Sequence, residues 1–387
     1  MESKKLQRLD LIFSPYTAVP YHVLKSIAKR DKTEIIDDLV KSGLRGRGGA
    51  GFLTGLKWKF AAMQPDSTKY IICNADEGEP GTFKDREILM RVPRKVFTGM
   101  GIAAYVTGAK EGFVYLRAEY NYLIPELNKE LEIFHKALIE IGLDFTISIF
   151  SGSGAYVCGE ETALIESMEG HRGEPRNKPP FPVQKGYNGK PTVVNNVETF
   201  VSAMMVYVMG ANEYLKLGTN DQRGSKLFSI SGDTKNPGVH ELELGMNISD
   251  FVDEFGDGDT KAVQIGGVAG FCIPRKRFSS TIIGQGNTTG GSTMIFNSTR
   301  SMYNVLHNYL EFFVEESCGQ CTPCRVGCQQ LLRGIEAVKN KKKPPEYLEQ
   351  LLKLSNTMKL TAKCGLGQSV SNSFTSIVKN FTEEMIY

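Results

Sequence analysis

Four cysteines fall within the segment ESCGQCTPCRVGC, at Cys318, Cys321, Cys324 and Cys328, and a fifth, Cys364, follows in KCGLGQ. Any fold of this chain must place these thiols usefully. Cys-x2-Cys-x2-Cys is the spacing by which one short loop delivers three thiolates to a cubane iron–sulfur cluster. The fourth ligand must come from elsewhere. Cys328 would complete the run of bacterial ferredoxins, but there the cysteine after x3 usually serves another cluster and precedes proline. Here Gln329 follows, and the sequence has no second cysteine cluster. If RVGCQQLLRGIEAV is helical from its start, Cys328 points along the helix and away from the loop. Cys364 stands before Gly365 and Gly367, where the backbone turns easily and can present a thiolate. The expected set is Cys318, Cys321, Cys324 and Cys364, holding a [4Fe-4S] cluster. Zinc is the competing reading. Structural zinc sites pair Cys-x2-Cys with a second such pair or with histidines, and only His307 is near. Cys73, Cys158, Cys272 and Cys328 read as ordinary small apolar side chains.

The rest of the composition narrows the class. Eight cysteines, five of them after residue 317, favour metal chemistry over scattered disulfides. A net charge of +3 gives no strong affinity for polyanions. The basic run KNKKKPP (339–345) is short, abuts two prolines and reads as a solvated loop. The longest apolar stretch, FVSAMMVYVMG (200–210), is too short to span a bilayer. The N-terminal MESKKLQRLD lacks an apolar signal core. A soluble, cytoplasmic location is expected.

Periodicity divides the chain. DKTEIIDDLVKSGL (31–44) has apolar residues at helical spacing. KYIICN (69–74), GFVYL (112–116) and FTISIF (145–150) are strand-like and alternate with helical patterns such as LIPELNKELEIFHKALIEIG (123–142). That alternation predicts a largely parallel α/β sheet. After the polar LGTNDQRG (217–224) the texture changes. SKLFSISGD and GVHELELG predict a hairpin, NISDFVDEFG a short helix and KAVQIGGVAGFCI a strand, which together make a small α+β domain. From Ser301 the pattern is helical, and the cysteines fall at predicted helix ends.

Four loops carry chemistry. GRGGAG (46–51) matches G-x-G-x-x-G, but a helix precedes it where the dinucleotide fingerprint needs a strand. Its glycines still allow backbone amides to approach a phosphate, ribose or flat ring, with Arg47 and Lys57 adding charge. A flexible surface loop is the plainer alternative. CNADEGEPGTFKDRE (73–87) follows a strand at the carboxyl end, where α/β folds place ligands. Its Asn74, Asp76, Glu77 and Glu79 lack EF-hand spacing and suit ribose hydroxyls or flavin N–H groups. GSGAYVCGEETALIESMEG (152–170) runs from a glycine turn into a helix, an amide-rich site. Its Glu160 and Glu161 also suit the helix dipole without any ligand. GKPTVVNNVETF (189–200) sets Asn195–Asn196 before a helix, where one of them caps.

These segments, with RGEPRNKPPFP and ESCGQCTPCRVG, occur in an order that resembles the NADH-binding flavoprotein subunit of respiratory complex I. They equally resemble the diaphorase subunits of NAD-linked hydrogenases and formate dehydrogenases. The resemblance runs from about residue 31 to 387. It implies an α/β fold with a Rossmann-like FMN-binding domain, a small ubiquitin-like α+β domain and a C-terminal four-helix iron–sulfur bundle. The corresponding boundaries are an N-terminal helical segment at 1–48, the FMN/NADH domain at 49–218, the ubiquitin-like (β-grasp) domain at 219–300 and the bundle at 301–387. It implies that Gly46, Arg47, Gly48 and Gly49 pack against FMN with Lys57, Asn74, Asp76, Glu77, Gly159, Glu160, Asn195, Asn196 and Thr199. It places Phe52, Phe60, Glu79, Glu161, Lys178 and Phe181 around NAD(H). Phenylalanines that stack an adenine are physically apt, and Glu79 near the ribose would repel a 2′-phosphate, favouring NADH. The cluster ligands implied are again Cys318, Cys321, Cys324 and Cys364.

The activity implied is an FMN-dependent NADH:acceptor oxidoreductase, with hydride transfer between NADH and FMN and then single electrons through the cluster. No side chain is expected to act as acid or base. Larger relatives carry a further [2Fe-2S] domain or a two-cluster ferredoxin domain, whose patterns are not seen in this sequence. The expected partners are a thioredoxin-like [2Fe-2S] subunit and a larger iron–sulfur or catalytic subunit. CGLGQ around Cys364 looks more like the soluble hydrogenase and formate dehydrogenase relatives than like complex I. Two alternatives stand beside this reading: an electron-bifurcating subunit coupling NAD and ferredoxin, and a relay protein without nicotinamide binding.

Overall fold

The computed structural model describes residues 4–15, 20–284 and 290–386. The chain forms two compact units. The first comprises residues 1–78, 83–228 and 239–246, and the second 79–82, 229–238 and 247–387.

The first unit is built on a four-stranded parallel sheet: β1 (Tyr70–Ala75), β2 (Glu111–Leu116), β3 (Thr146–Ser151) and β4 (Thr192–Asn196), in the order β3-β2-β1-β4. β1 is central. Its Tyr70 lies opposite both Glu111 and Thr192, and its Asn74 opposite Tyr115 and Asn196. α1 (Lys32–Lys41) and α2 (Thr54–Ala62) precede β1; the long crossovers that parallel pairing needs are supplied by α3 (Lys84–Arg91) with α4 (Pro93–Thr107), α5 (Ile124–Ile141) and α6 (Glu161–Met168), and α7 (Val197–Met209) follows β4. The expected helix at 31–44 is α1, capped by Asp31, whose carboxylate accepts from the N–H groups of Thr33 and Glu34. α5 buries Leu127, Leu131, Phe134 and Leu138, one stripe at helical spacing, and ends at Gly142 in the left-handed region. α4 and α7 pack backbone to backbone: a Cβ on Gly99 would stand 2.2 Å from the Phe200 carbonyl oxygen.

The second unit has a mixed sheet and a helical bundle. Its strands are the end of β5 (Ser225–Gly232), β7 (Thr260–Ile265), β8 (Phe271–Pro274) and β9 (Ser292–Asn297), while β6 (Gly238–Glu243) falls mainly in the first unit. β9 runs parallel to β5 and antiparallel to β7, which pairs antiparallel with β8. The single strand expected over KAVQIGGVAGFCI is therefore two. Gly266 and Gly267 at φ +87° and +67° turn the chain between them, a conformation the apolar run conceals. α8 (Ile248–Phe255) is the expected short helix. The bundle consists of α9 (Met302–Glu316), α10 (Thr322–Lys339), α11 (Tyr347–Thr361) and α12 (Gly365–Asn380). It packs tightly at glycines: a Cβ on Gly327 would meet Met358 Sδ at 2.4 Å, and one on Gly334 would meet Leu351 Cδ2 at 2.5 Å. Among the described residues, no helix is long and apolar enough to cross a membrane.

Candidate functional site

In the first unit the glycine loop closes between α1 and α2. Gly46 N–H donates to the Phe52 carbonyl at 2.9 Å, and Thr54 N–H to that of Leu44 at 2.9 Å. Gly49 and Gly51 have φ +127° and +64°, and a Cβ on either would meet nothing within 4 Å. The loop therefore presents an open, Cβ-free backbone face that a flat or anionic ligand can approach. Gly48 is the opposite case, since a Cβ there would stand 2.8 Å from Asn196 Cβ.

Arg47 does not add its charge to this face. Its side chain is buried, donating to the Tyr214 hydroxyl at 3.2 Å and the Arg223 carbonyl at 2.6 Å. Its own N–H donates to Thr199 Oγ1 at 2.8 Å. The contribution of Arg47 is thus structural support beneath the loop. Lys57 is engaged with Glu161 Oε2 at 3.1 Å and the Val194 carbonyl at 3.0 Å.

The polar loops at the strand ends meet one another. Asn74 Nδ2 donates to the Gly159 carbonyl at 2.8 Å, and Asp76 N–H to Asn74 Oδ1 at 3.0 Å. Glu77 is buried at the start of α3, where its carboxylate accepts from the N–H groups of Asp85 and Arg86 at 2.8 and 3.1 Å and from the Tyr120 hydroxyl at 3.1 Å. Burial first, and Asp85 second, push its pKa up. Glu160 caps α6, accepting from Thr162 and Ala163 N–H at 2.9 Å. Asn196 caps α7, accepting from Glu198 N–H at 3.0 Å. Asn195 Oδ1 accepts from Trp58 Nε1 at 2.9 Å. Lys178 bridges Glu160 and Glu161 at 2.8 and 2.9 Å. Burial would raise Glu161, but Lys57 and Lys178 outweigh it and hold its carboxyl below the ordinary value. Three of the expected aromatic side chains stand half in solvent: Phe52 at 48%, Phe60 at 45% and Phe181 at 49% exposure. Glu79 belongs to the second unit, where its Oε1 accepts from Ala269 N–H at 3.1 Å.

A buried ionic group lies under the glycine loop, and residue types alone do not announce it. Lys84 sits 2.7 Å from Asp85 and 2.9 Å from Glu198, and Lys226 is 3.8 Å from Glu198 and 3.0 Å from the Arg47 carbonyl. Burial pulls Lys84 down, but Asp85 and Glu198 raise it well above its usual value. For Lys226 burial wins over Glu198, and its pKa falls to about 7. The one signal in the sequence is Glu198, a lone carboxylate inside the apolar run VETFVSAMM.

In the second unit the cysteines gather at two helix starts. Cys321 is the N-cap of α10, Cys324 lies in its first turn, and Cys364 is the N-cap of α12. Helix N-termini favour thiolates. Gly367 is pressed onto Cys324, its would-be Cβ 3.4 Å from Cys324 Sγ. That contact brings the start of α12 to the Cys321–Cys324 turn. Cys328 is buried one turn into α10. Among the described residues, the one set of three metal-ligand groups within 4.8 Å is Glu166, Glu169 and His171. Three cysteines from one Cys-x2-Cys-x2-Cys turn with a fourth at a second helix start are a donor set that fits an iron–sulfur cluster. The Glu166–Glu169 pair is taken by Arg176 in any case.

An open glycine loop beside a parallel sheet in the first unit and cysteines at two helix starts in the second are the two candidate cofactor sites. The Nuo51 FMN-binding domain matches residues 39–204, and the NADH-ubiquinone oxidoreductase-F iron–sulfur binding region matches 304–387. Over 379 residues the chain is 40% identical to a subunit of the NADH-quinone oxidoreductase of Aquifex aeolicus, covering 94% of this chain and 88% of that protein. It belongs to the family of that protein. It is 44% identical over 358 residues to the alpha subunit of the NAD-reducing hydrogenase HoxS of Cupriavidus necator, covering 90% of this chain but 60% of that one. A crystal structure of an NAD+-reducing [NiFe]-hydrogenase in the H2-reduced state superposes with a TM-score of 0.91 at 39% identity, over 98% of this chain and 66% of the matched one. The chain thus spans roughly three fifths to two thirds of these hydrogenase relatives.

Proposed function

We propose that this chain is the NADH-oxidising subunit of a larger redox complex, binding FMN at the glycine cradle and a [4Fe-4S] cluster at the cysteine junction. The observation that carries the reading is the Cβ-free face at Gly49 and Gly51, backed by Arg47, Thr199 and Lys226 from below. FMN bound there would accept a hydride and release its two electrons singly.

The protein's part is positioning. The loop from Gly46 to Gly51 provides close backbone approach, and Asn74, Asp76, Glu77, Gly159, Glu160, Asn195, Asn196 and Thr199 supply polar groups along the strand ends. Phe52, Phe60 and Phe181 offer half-exposed rings for the adenine of NADH. Lys57, Glu161 and Lys178 form a charged set that orders this side of the site. Glu79 is assigned to the nucleotide's ribose, favouring NADH over NADPH. Cys318, Cys321, Cys324 and Cys364 hold the cluster. The domain limits proposed are 1–48, 49–218, 219–300 and 301–387. Partners are iron–sulfur subunits, including a thioredoxin-like [2Fe-2S] protein, in a cytoplasmic hydrogenase- or formate dehydrogenase-type complex. Relatives named for NAD-reducing hydrogenase activity support this assignment.

The test is anaerobic visible spectroscopy of the cofactor-loaded protein, titrated separately with NADH and NADPH. Bleaching of the flavin bands by NADH alone is expected. A flavin that neither nucleotide bleaches would leave only the relay reading, and bleaching by NADPH would remove the role given to Glu79.

A further inference from the structure

Two side chains outside the ligand set converge on the sulfur of Cys324. Ser317 Oγ lies 3.2 Å from Cys324 Sγ, and Cys328 Sγ lies 4.0 Å from it. Ser317 ends α9, and Cys328 follows Cys324 by one helical turn in the buried core of the bundle. A cysteine bound to iron is a thiolate and can only accept a hydrogen bond. The neighbouring hydroxyl and thiol are then the donors. Ser317 is already oriented for this: its oxygen accepts from Gly319 N–H at 3.4 Å, which leaves its one proton for the sulfur.

We propose that Ser317 and Cys328 are positioning residues for electron transfer, which raise the reduction potential of the [4Fe-4S] cluster by donating hydrogen bonds to the Cys324 thiolate. The inference rests on the cluster reading above. Reduction adds one electron, and the added negative charge is spread onto the sulfurs. Hydrogen bonds to those sulfurs favour the reduced state and are among the levers that set cluster potentials. No covalent bond forms or breaks, and no proton moves. The arrangement also gives Cys328 a use that its spacing alone denies it. It is a donor behind a ligand, in a position where a plain apolar residue would pack as well.

The experiment is a potentiometric titration of the full-length, cluster-loaded protein, followed by electron paramagnetic resonance, for wild type, Ser317→Ala, Cys328→Ala, Cys328→Ser and the double alanine variant. Iron content is read first and is expected at about four per chain in all of them. Each single alanine variant is then expected to lower the reduced-to-oxidised ratio at a fixed potential about tenfold, a shift of about 59 mV for one electron. The double variant is expected to fall further, and Cys328→Ser, which keeps a donor, to recover most of the wild-type potential. Unchanged midpoints in both single alanine variants would overturn the proposal. Loss of iron in Cys328→Ala would also overturn it, since Cys328 would then be a ligand. No cluster in the wild type would instead sink the cluster reading, and the proposal with it.

Discussion

The Lys226 ammonium donates to the Arg47 carbonyl at 3.0 Å, from the buried floor beneath the glycine loop. With the Arg47 N–H held by Thr199 Oγ1, both backbone polar groups of this one loop residue are tied down from below. The loop's next residues, Gly49 and Gly51, are left facing open space. A cradle that must accept a large planar group without collapsing needs such a floor.

That floor titrates near neutrality. Burial brings the Lys226 pKa down to about 7 from the ordinary 10.5. Between those values the unfolded chain holds a proton that the folded chain lacks, so this group's contribution to stability rises with pH across the interval. Below about pH 7 both states are protonated, and the cost of burying the ammonium is present in full. Lys226→Met removes the titration, while Lys84 still pairs with Glu198 at 2.9 Å. Denaturant unfolding from about pH 6 to about pH 9 should show wild type gaining on the variant above neutrality, by at most about 1.4 kcal/mol per pH unit. A gap that stays constant over that range contradicts the assignment.

Gly48 tests the cradle from the other side. An alanine there must displace either the loop or the Asn196 cap, because its Cβ would lie 2.8 Å from Asn196 Cβ. Overpacking of this kind typically costs about 1–3 kcal/mol. Gly48→Ala is expected to weaken FMN binding about tenfold or more in a flavin-fluorescence titration, with iron content unaltered. Wild-type FMN affinity would show that this loop is not the flavin's support.

Much of this arrangement is legible from residue types, and the exceptions share a cause. β1 and β2 are visible as short β-branched and aromatic runs, because covered parallel strands are largely apolar, and the edge strand β3 shows through its Ile147, Ile149 and Phe150. The cysteine junction is visible because cluster spacing has few other uses. The turn at Gly266–Gly267 is hidden inside a continuous apolar run, where only a positive φ marks the break. Lys84 and Lys226 do not stand out because charged residues read as solvent-facing, and both meet Glu198, which is distant from them in sequence. Arg47 misleads for the same reason. A basic residue among glycines suggests an anion contact, whereas its guanidinium is buried and donates through Nη2 to Tyr214 and the Arg223 carbonyl.

Phe181 separates nucleotide binding from flavin binding. It is 49% exposed at the start of the short helix Pro182–Lys185, so its removal opens no core cavity. Stability should change by no more than about 0.5 kcal/mol. Phe181→Ala is expected to raise the KM for NADH about tenfold, the order of a lost aromatic stack with its buried area, while flavin content holds at the wild-type level. Parallel loss of flavin would assign the ring to the cradle instead.

Cys364 decides which sulfur completes the cluster. It precedes α12 at an N-cap position with an extended backbone, and Gly367 carries that helix start onto Cys324. Cys328 already sits 4.0 Å from Cys324 along α10, but it does so inside the bundle core, on the helix that supplies the neighbouring ligand. A cubane cluster needs its fourth thiolate from a different direction than its third, and the α12 junction supplies one. Cys364→Ser should therefore abolish the paramagnetic signal of the reduced [4Fe-4S] cluster and lower iron content, while FMN and its bleaching by NADH persist. A full complement of iron with an unaltered signal would show that Cys328 or another group holds the fourth corner.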